Sequence, residues 1–319
     1  MTTFKWGFVG AGMIAKKALY PAVSRSNVGE IYAVASRDAD RARTISPSGK
    51  IYTDYDELFA DPEVDGVYIS LPNAFHLPVA IRAMVAGKHV LCEKPLGMNA
   101  EEVRGAMAVA EEAGVLFGEA SWNRWHPRTQ RIQEIVQSGK LGAIKRIRAA
   151  FTYEGLSEDN IRLDPTIGGG ILYDLGPYST VAPLWLLGFP EVSDLKVQSV
   201  MHKGGVDETT RVNYKLGDTV CETVASCNIP DTSWLIVDGE KGSVKMLGDN
   251  VFNSRHADSK LEITIDGKVV IEEFGPVDPY QIMADNFARR AQGGSDWVMP
   301  LSESLRFAQL FDAAFAQIK

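Results

Sequence analysis

Two kinds of hydrophobic spacing alternate over the first 120 residues. Runs with apolar side chains at consecutive positions, "KWGFVG", "EIYAVAS", "GVYISLP", "HVLCEK" and "VLFGEAS", predict strands buried on both faces. Between them, "IAKKALYPAVSRS", "YDELFAD", "FHLPVAIRAMVAG" and "NAEEVRGAMAVAEEAG" carry apolar residues at helical spacing. Asn99 is placed to cap the last of these helices, and Gly87 and Gly114 stand where helices should stop. The alternation predicts an α/β domain over residues 1–121, a doubly wound parallel sheet of Rossmann type.

From Trp122 the spacing changes. "RTQRIQEIVQSGKLG" reads as an amphipathic helix, "AIKRIRAAFTYEG" as a strand, and "GGILYDLGPYSTVAPLWLLG" as a second helical stretch. "RVNYKLGDTVCETVASCN", "SWLIVDGEKGSVKML" and "KLEITIDGKVVIEEF" then alternate as antiparallel strands, with hairpin turns at Gly217-Asp218 and Asp266-Gly267. Helices near Tyr280–Gln292 and Ser302–Gln317 close the chain. Residues 122–319 are expected to form an α+β domain with a mostly antiparallel open sheet, its last helix able to pack back on the first domain.

Composition narrows the function. A chain of 319 residues, 45% hydrophobic, fills about two domains. A net charge of -8 argues against a nucleic-acid partner or an anionic membrane surface. No apolar run reaches the roughly 20 residues of a membrane span, and "MTTFKWGFVGAG" has no signal-peptide pattern. Three cysteines without zinc-type spacing suit reduced thiols, and five scattered histidines suggest no protein-held metal. The expectation is a cytoplasmic protein with a small-molecule substrate.

The first chemical signal is "FVGAGMIAKKAL". Gly10, Gly12 and Ala15 fit G-x-G-x-x-[GA] directly after the first strand, with Ala11, Met13 and Ile14 completing the loop. Gly10 permits the tight turn, Gly12 lets a pyrophosphate approach the backbone, and the helix start offers free N–H groups to phosphate. The second strand ends at Ser36 and Arg37, where an NAD-selective site usually places an acid. A hydroxyl and a guanidinium suit a 2′-phosphate, so NADP(H) is the preferred cofactor and NAD(H) a possible one.

With "GAGMIA", "SLPNAFH", "EKPLGMNAEE" and "GGGILYDLGPY" in this order, the chain resembles the Gfo/Idh/MocA family of oxidoreductases over essentially its whole length. The resemblance implies that Lys94 lies beside the nicotinamide, where the strand "HVLCEK" ends at the rim of the sheet and Pro95 turns the chain away. It also suggests a cis Lys94–Pro95 bond. Leu71, Pro72, Asn73, His76 and Glu93 become candidate cofactor contacts, as do Trp122 and Arg124. Arg124 and His126 become candidate substrate contacts. A lysine next to the redox carbon can polarise or protonate a carbonyl oxygen as hydride arrives.

The other half of the site is read from "NIRLDPTIGGGILYDLGPY". Asp174 and Tyr178 are four apart and would share a helix face. The glycines at 168–170 would let the helix start approach a ligand or cofactor closely. Arg162, just before them, can reach a polar substrate or form an ion pair. Many family members end this D-x-x-x-H pattern in histidine. Tyr178 departs from it, as in the branch resembling glucose–fructose oxidoreductase and dimeric dihydrodiol dehydrogenase. The resemblance implies Tyr178 as proton donor, with Lys94 lowering its pKa, and Asp174 as an orienting or hydroxyl-binding group.

Taken together, these features describe an NADP(H)-dependent oxidoreductase moving a hydride between nicotinamide and a secondary alcohol/carbonyl of a sugar, polyol or cyclic diol. The resemblance also suggests a homodimer or homotetramer formed through the open sheet face. Three alternatives stand beside this reading: a nucleotide-sugar ketoreductase, an NAD-assisted glycoside hydrolase, and a non-catalytic dinucleotide-sensing regulator.

Overall fold

In the computed structural model, which describes residues 2–45 and 47–318, β1 (Phe4–Val9) lies inside a six-stranded sheet. Phe4, Trp6, Phe8 and Val9 are all buried, which is why this strand reads as a continuous apolar run. On one side stand β2 (Gly29–Ala35) and β3 (Lys50–Tyr52). On the other stand β4 (Gly66–Ile69), β5 (His89–Cys92) and β6 (Phe117–Glu119). The order is β3-β2-β1-β4-β5-β6 and every pairing is parallel. The winding direction reverses between β1 and β4, and such a switch point opens a crevice beyond the strand carboxyl ends.

The connecting helices are α1 (Tyr20–Ser24), preceded by a π-helical turn Ala15–Leu19, α2 (Ala39–Arg43), α3 (Tyr55–Phe59), α4 (His76–Val85) and α5 (Ala100–Ala113). Their starts follow local chemistry. Asp38 accepts from Arg41 N at 3.0 Å, Asp54 from Asp56 N at 2.8 Å, and Asn99 from Glu102 N at 2.9 Å. Each such cap contributes about 1 kcal/mol. Gly114 ends α5 in the left-handed region, at φ 65°.

Contacts divide the chain into two units. The first comprises Met1–Trp122 and Asp278–Ala308, the second Asn123–Val277 and Gln309–Lys319. The helix α9 (Pro279–Ala291) therefore belongs with the parallel sheet. Tyr280, Met283 and Phe287 are buried there, Phe287 packing on Trp6 with ring centroids 5.5 Å apart. An amphipathic stripe announces a helix but does not say which sheet it will cover.

The second unit is built on eight strands in the order β14-β13-β12-β11-β7-β10-β9-β8. They are β7 (Ile144–Glu154), β8 (Val192–Met201), β9 (Asp207–Leu216), β10 (Thr219–Ser226), β11 (Asn228–Gly239), β12 (Gly242–Leu247), β13 (Ser259–Ile265) and β14 (Lys268–Phe274). Only β7 and β10 pair in parallel. In β9, Val212, Tyr214 and Leu216 are buried while Arg211, Asn213 and Lys215 are exposed, the alternation of a sheet with one covered face. Asp266 and Gly267 both have positive φ at the β13–β14 hairpin, as a two-residue turn requires. The helices α6 (Pro127–Gln137), against β12 and β13, and α7 (Ile171–Leu175), against β9 and β10, cover the sheet, with α8 (Ala182–Leu186) beside α6. The last helix, α10 (Leu301–Phe315), runs across the boundary between the units. Among the described residues, no helix is long and apolar enough to cross a membrane.

Candidate active site

The turn after β1 tests the dinucleotide reading directly. Gly10 N donates to Ala35 O at 2.9 Å, and Gly10 has φ +89°. A Cβ there would lie 2.9 Å from Ser70 O, so only glycine fits. At Gly12 a Cβ would meet only Ser70 O, at 3.6 Å, which leaves the backbone open on its other side. The first helical bond runs from Lys16 N to Gly12 O at 3.2 Å, so the preceding N–H groups have no partner within the helix. Met13, 60% exposed, and Ile14 border this start, while Ala15 is buried against the sheet. The cradle suits a pyrophosphate.

At the end of β2, Ser36 N donates to Tyr52 O at 3.0 Å and Ser36 Oγ accepts from Asp38 N at 3.3 Å. Asp38 is occupied as the cap of α2. Arg37 is exposed and makes no ion pair among the described residues. The Arg37 cation at the end of β2 thus stands open to solvent while the neighbouring acid is already used.

Two buried groups hold the rim at β4 and β5. Tyr68 O–H donates to Glu93 Oε1 at 2.6 Å, and Lys94 N donates to Glu93 Oε2 at 3.3 Å. Glu93 is therefore bonded to the backbone of the turn that carries Lys94, not an acid left in solvent. Lys94 is half-buried and its bond to Pro95 is cis. Leu71, Pro72 and Asn73, also half-buried, lead into a short 3-10 turn, Asn73–Phe75. Both ring nitrogens of His76 face carbonyls at 2.8 Å, Nδ1 that of Pro95 and Nε2 that of Leu71. Its side chain does not cap α4 but ties the loop after β4 to the turn after Lys94. Burial lowers its pKa, against the pull of those carbonyls, and the Lys94 cation lowers it further.

In the second unit Arg162 Nε donates to Asp174 Oδ2 at 2.7 Å, and Tyr153 O–H donates to the same oxygen at 3.3 Å. The Asp174 charge, outweighing burial, raises the Arg162 pKa, and the Tyr153 and Tyr178 hydroxyls act on Arg162 in the same direction. Burial, then the Asp174 charge, raises that of Tyr153. Tyr178 is 7% exposed, its ring edge-on to Phe151 at 5.4 Å and tilted against Phe252 at 6.3 Å.

Two local expectations need correction here. Asp174 and Tyr178 do not share one helix, because α7 ends at Leu175 and Tyr178 N bonds Leu175 O in a following turn. The glycine run before α7 serves close packing within the protein. A Cβ on Gly169 would lie 2.7 Å from the carbonyls of Arg162 and Asp164, and one on Gly170 2.6 Å from Asp207 Oδ1. Asp207 Oδ2 accepts from Leu172 N at 2.9 Å and from Thr210 Oγ1 at 2.6 Å, so this acid fills the start of α7. Asp207 lies 35 residues beyond Leu172, where no capping pattern in the sequence would reveal it. Tyr153 was also missed, since its place on β7 carries no chemical signature.

The remaining candidates are held by packing. Trp122 stacks on Tyr280 at 4.9 Å. Arg124 is buried with its guanidinium 4.8 Å from the Trp185 ring. His126 Nδ1 accepts from Arg128 N at 3.1 Å and caps α6, while burial and then the Arg128 cation push its pKa down to about 4. Among the described residues, no group of three or more His, Cys, Asp or Glu is placed to hold a metal.

Known proteins match this architecture over its full length. A family described as "Oxidoreductase family, NAD-binding Rossmann fold" matches residues 4–121, and "GFO/IDH/MocA C-terminal domain" matches residues 129–245. A D-xylose 1-dehydrogenase (NADP(+)) of Haloferax volcanii is 34% identical, covering 97% of this chain and 96% of its own. The trans-1,2-dihydrobenzene-1,2-diol dehydrogenase of Mus musculus is 34% identical over 76% of this chain and 74% of its own. A 3-ketoreductase from Actinomadura kijaniata, solved with NADP and TDP-benzene, superposes with a TM-score of 0.91 at 25% identity, covering 99% of this chain and 98% of that one. With both domain models matched and a relative 34% identical over nearly the whole chain, the chain belongs to the Gfo/Idh/MocA family of oxidoreductases.

Proposed function

We propose that the protein transfers a hydride between NADP(H) and a secondary alcohol/carbonyl of a sugar, polyol or cyclic diol. The observation that carries this reading is the fixing of Lys94, half-buried at the carboxyl end of β5, by Glu93, which Tyr68 in turn orients. A surface lysine needs no such support.

The Gly10–Ile14 loop would hold the pyrophosphate, and Ser36 with Arg37 the 2′-phosphate, which favours NADP(H) over NAD(H). Bound nicotinamide supplies or accepts the hydride. Lys94 offers its ammonium to the substrate oxygen, stabilising alkoxide charge that is larger in the transition state than in the bound alcohol. Tyr178 gives the proton in reduction and takes it in oxidation. Asp174, oriented by Arg162 and Tyr153, accepts from substrate hydroxyls. Leu71, Pro72, Asn73, His76 and Trp122 frame the cofactor side, and Arg124 and His126 the substrate side.

A nucleotide-linked keto-sugar is the second substrate class, favoured by the likeness to the 3-ketoreductase. Three buried free thiols, Cys92, Cys221 and Cys227, support a reducing, cytoplasmic setting. Self-association through the uncovered face of the second sheet, as a dimer or tetramer, completes the proposal. The test is a panel of aldoses, keto-sugars, inositols and cyclic diols, followed at the NADPH absorbance band. Net change in that band supports the proposal. Bond cleavage without it moves the chain to redox-assisted glycoside hydrolysis.

A further inference from the structure

The loop of residues 248–258, between β12 and β13, forms no helix or strand, yet Val251 and Phe252 in it are 4% and 3% exposed. Asp249, Asn250 and Asn253 around them are exposed. The Phe252 ring lies 5.7 Å from that of Phe151 and 6.3 Å from that of Tyr178, and Phe151 meets Tyr178 edge-on at 5.4 Å. Three rings, from β7, from the turn after α7 and from this loop, thus close on one another. Phe151 stands on a strand, whereas Phe252 has only its loop to hold it.

The loop is tied from two sides. On β11, Ser233 Oγ accepts from Val251 N at 2.7 Å and donates to Asp249 O at 3.3 Å. From the first turn of α6, Arg128 reaches in with its guanidinium. Nη1 donates to Leu247 O at 3.2 Å, and Nη2 donates to Val251 O and, at 3.0 Å, to Ser254 Oγ. Val251 O belongs to the peptide that joins Val251 to Phe252, so the clamp closes next to the residue that carries the ring. His126, accepting from Arg128 N at 3.1 Å, fixes the turn from which the side chain starts.

Arg128 is 1% exposed, none of these acceptors is a carboxylate, and its Nε has no hydrogen-bond partner among the described residues. Burial pushes its pKa down to about 10. A buried cation without an acid is a costly way to fill space that an apolar side chain would fill better. What arginine adds is a planar, rigid fork that serves three acceptors of one loop at once.

We propose that Arg128 is a positioning residue for Tyr178: it clamps residues 247–254, the clamped loop holds Phe252 against the Tyr178 ring, and the ring thereby keeps one direction for its hydroxyl. The consequence for turnover rests on the proton role proposed above for Tyr178, while the positioning itself does not.

The experiment is fluorine NMR on protein made with 3-fluorotyrosine, each signal identified by its loss in the matching tyrosine-to-phenylalanine variant. Arg128→Met should displace or split the Tyr178 signal and leave that of Tyr68, in the first unit, where it was. Combined with Phe252→Leu, which removes the connecting ring, the Arg128 change should add nothing further. Arg128→Lys keeps the cation but not the fork, and it carries the same test with a smaller displacement where Arg128→Met does not fold. Turnover is measured beside it, on whichever panel substrate the unmodified protein converts. There kcat of Arg128→Met should fall about tenfold or more with NADPH affinity unchanged. A Tyr178 signal unmoved in both Arg128 variants, one moved as far without the Phe252 ring as with it, or a Tyr68 signal displaced alongside it overturns the proposal. A displaced Tyr178 signal with unchanged kcat upholds the positioning and removes Tyr178 from proton transfer.

Discussion

Arg162 Nε and Asp174 Oδ2 stand 2.7 Å apart, within a pair whose side chains are only partly exposed. Asp174 is therefore held in a fixed position, with its charge held by a cation and its orientation shared with Tyr153, and the proposed function has it meet substrate hydroxyls from there. Replacing either partner should raise KM more than it lowers kcat, by about tenfold in kcat/KM. The double variant Arg162→Ala/Asp174→Ala should be little worse than the poorer single one, because both remove the same arrangement. Steady-state kinetics on the four proteins checks this, and additive losses would separate the two residues.

Lys94→Ala should leave folding and NADPH binding nearly intact while turnover falls about a hundredfold or more. Lys94→Arg should recover little, since guanidinium keeps its proton and presents a planar fork. Fluorescence titration with NADPH beside turnover distinguishes loss of chemistry from loss of binding.

Much of the first unit was legible because its signals are local. Asn99 and Asp38 cap helices within three residues of themselves, and the glycine loop announces itself beside the strand it leaves. Most of the second unit's strands and its hairpins were legible for the same reason, but β8, whose residues are at most half-buried, gave no apolar run to read. The contacts that orient the candidate site are not local. Asp207 fills the start of α7 from 35 residues away, and Tyr68 reaches Glu93 across 25. The Asp174–Tyr178 spacing suggested one helix, but α7 stops at Leu175, where Gly176 and Pro177 give way to turns. Spacing reports periodicity, and it cannot report where a short helix ends when tertiary packing decides.

Arg37→Glu should weaken NADPH binding by about 1.5–3 kcal/mol, roughly tenfold to a hundredfold, and leave NADH almost unchanged. The reason is the exposed guanidinium at the end of β2 beside an acid already spent on a helix cap. Calorimetric titration of both cofactors measures the difference, and equal affinity of the unmodified protein for the two would remove the assignment.

Tyr178→Phe keeps the ring that packs on Phe151 and Phe252 and deletes the hydroxyl. Thermal stability should change little while turnover drops about a hundredfold or more. An unchanged rate would pass the proton to Lys94.

His126 supplies a pH test of folding. Its folded pKa, about 4, lies below the usual histidine value because burial and then Arg128 disfavour the cation. Its neutral form stabilises the fold fully above about 6.5, and that contribution is lost as pH falls toward about 4. In thermal melts, the unmodified protein should lose ground to His126→Asn, which retains a capping acceptor, over that interval only.

Transfer of isotope tests the central claim most directly. D-xylose and a cyclic trans-diol, each deuterated at the carbinol carbons, are incubated separately with the protein and NADP(+), and the cofactor is recovered. The account predicts that at least one substrate yields NADPH carrying the deuterium, and that Lys94→Ala forms it about a hundredfold more slowly. Formation of no reduced cofactor from either, or of NADPH without the label, would contradict hydride transfer from a sugar or diol carbon.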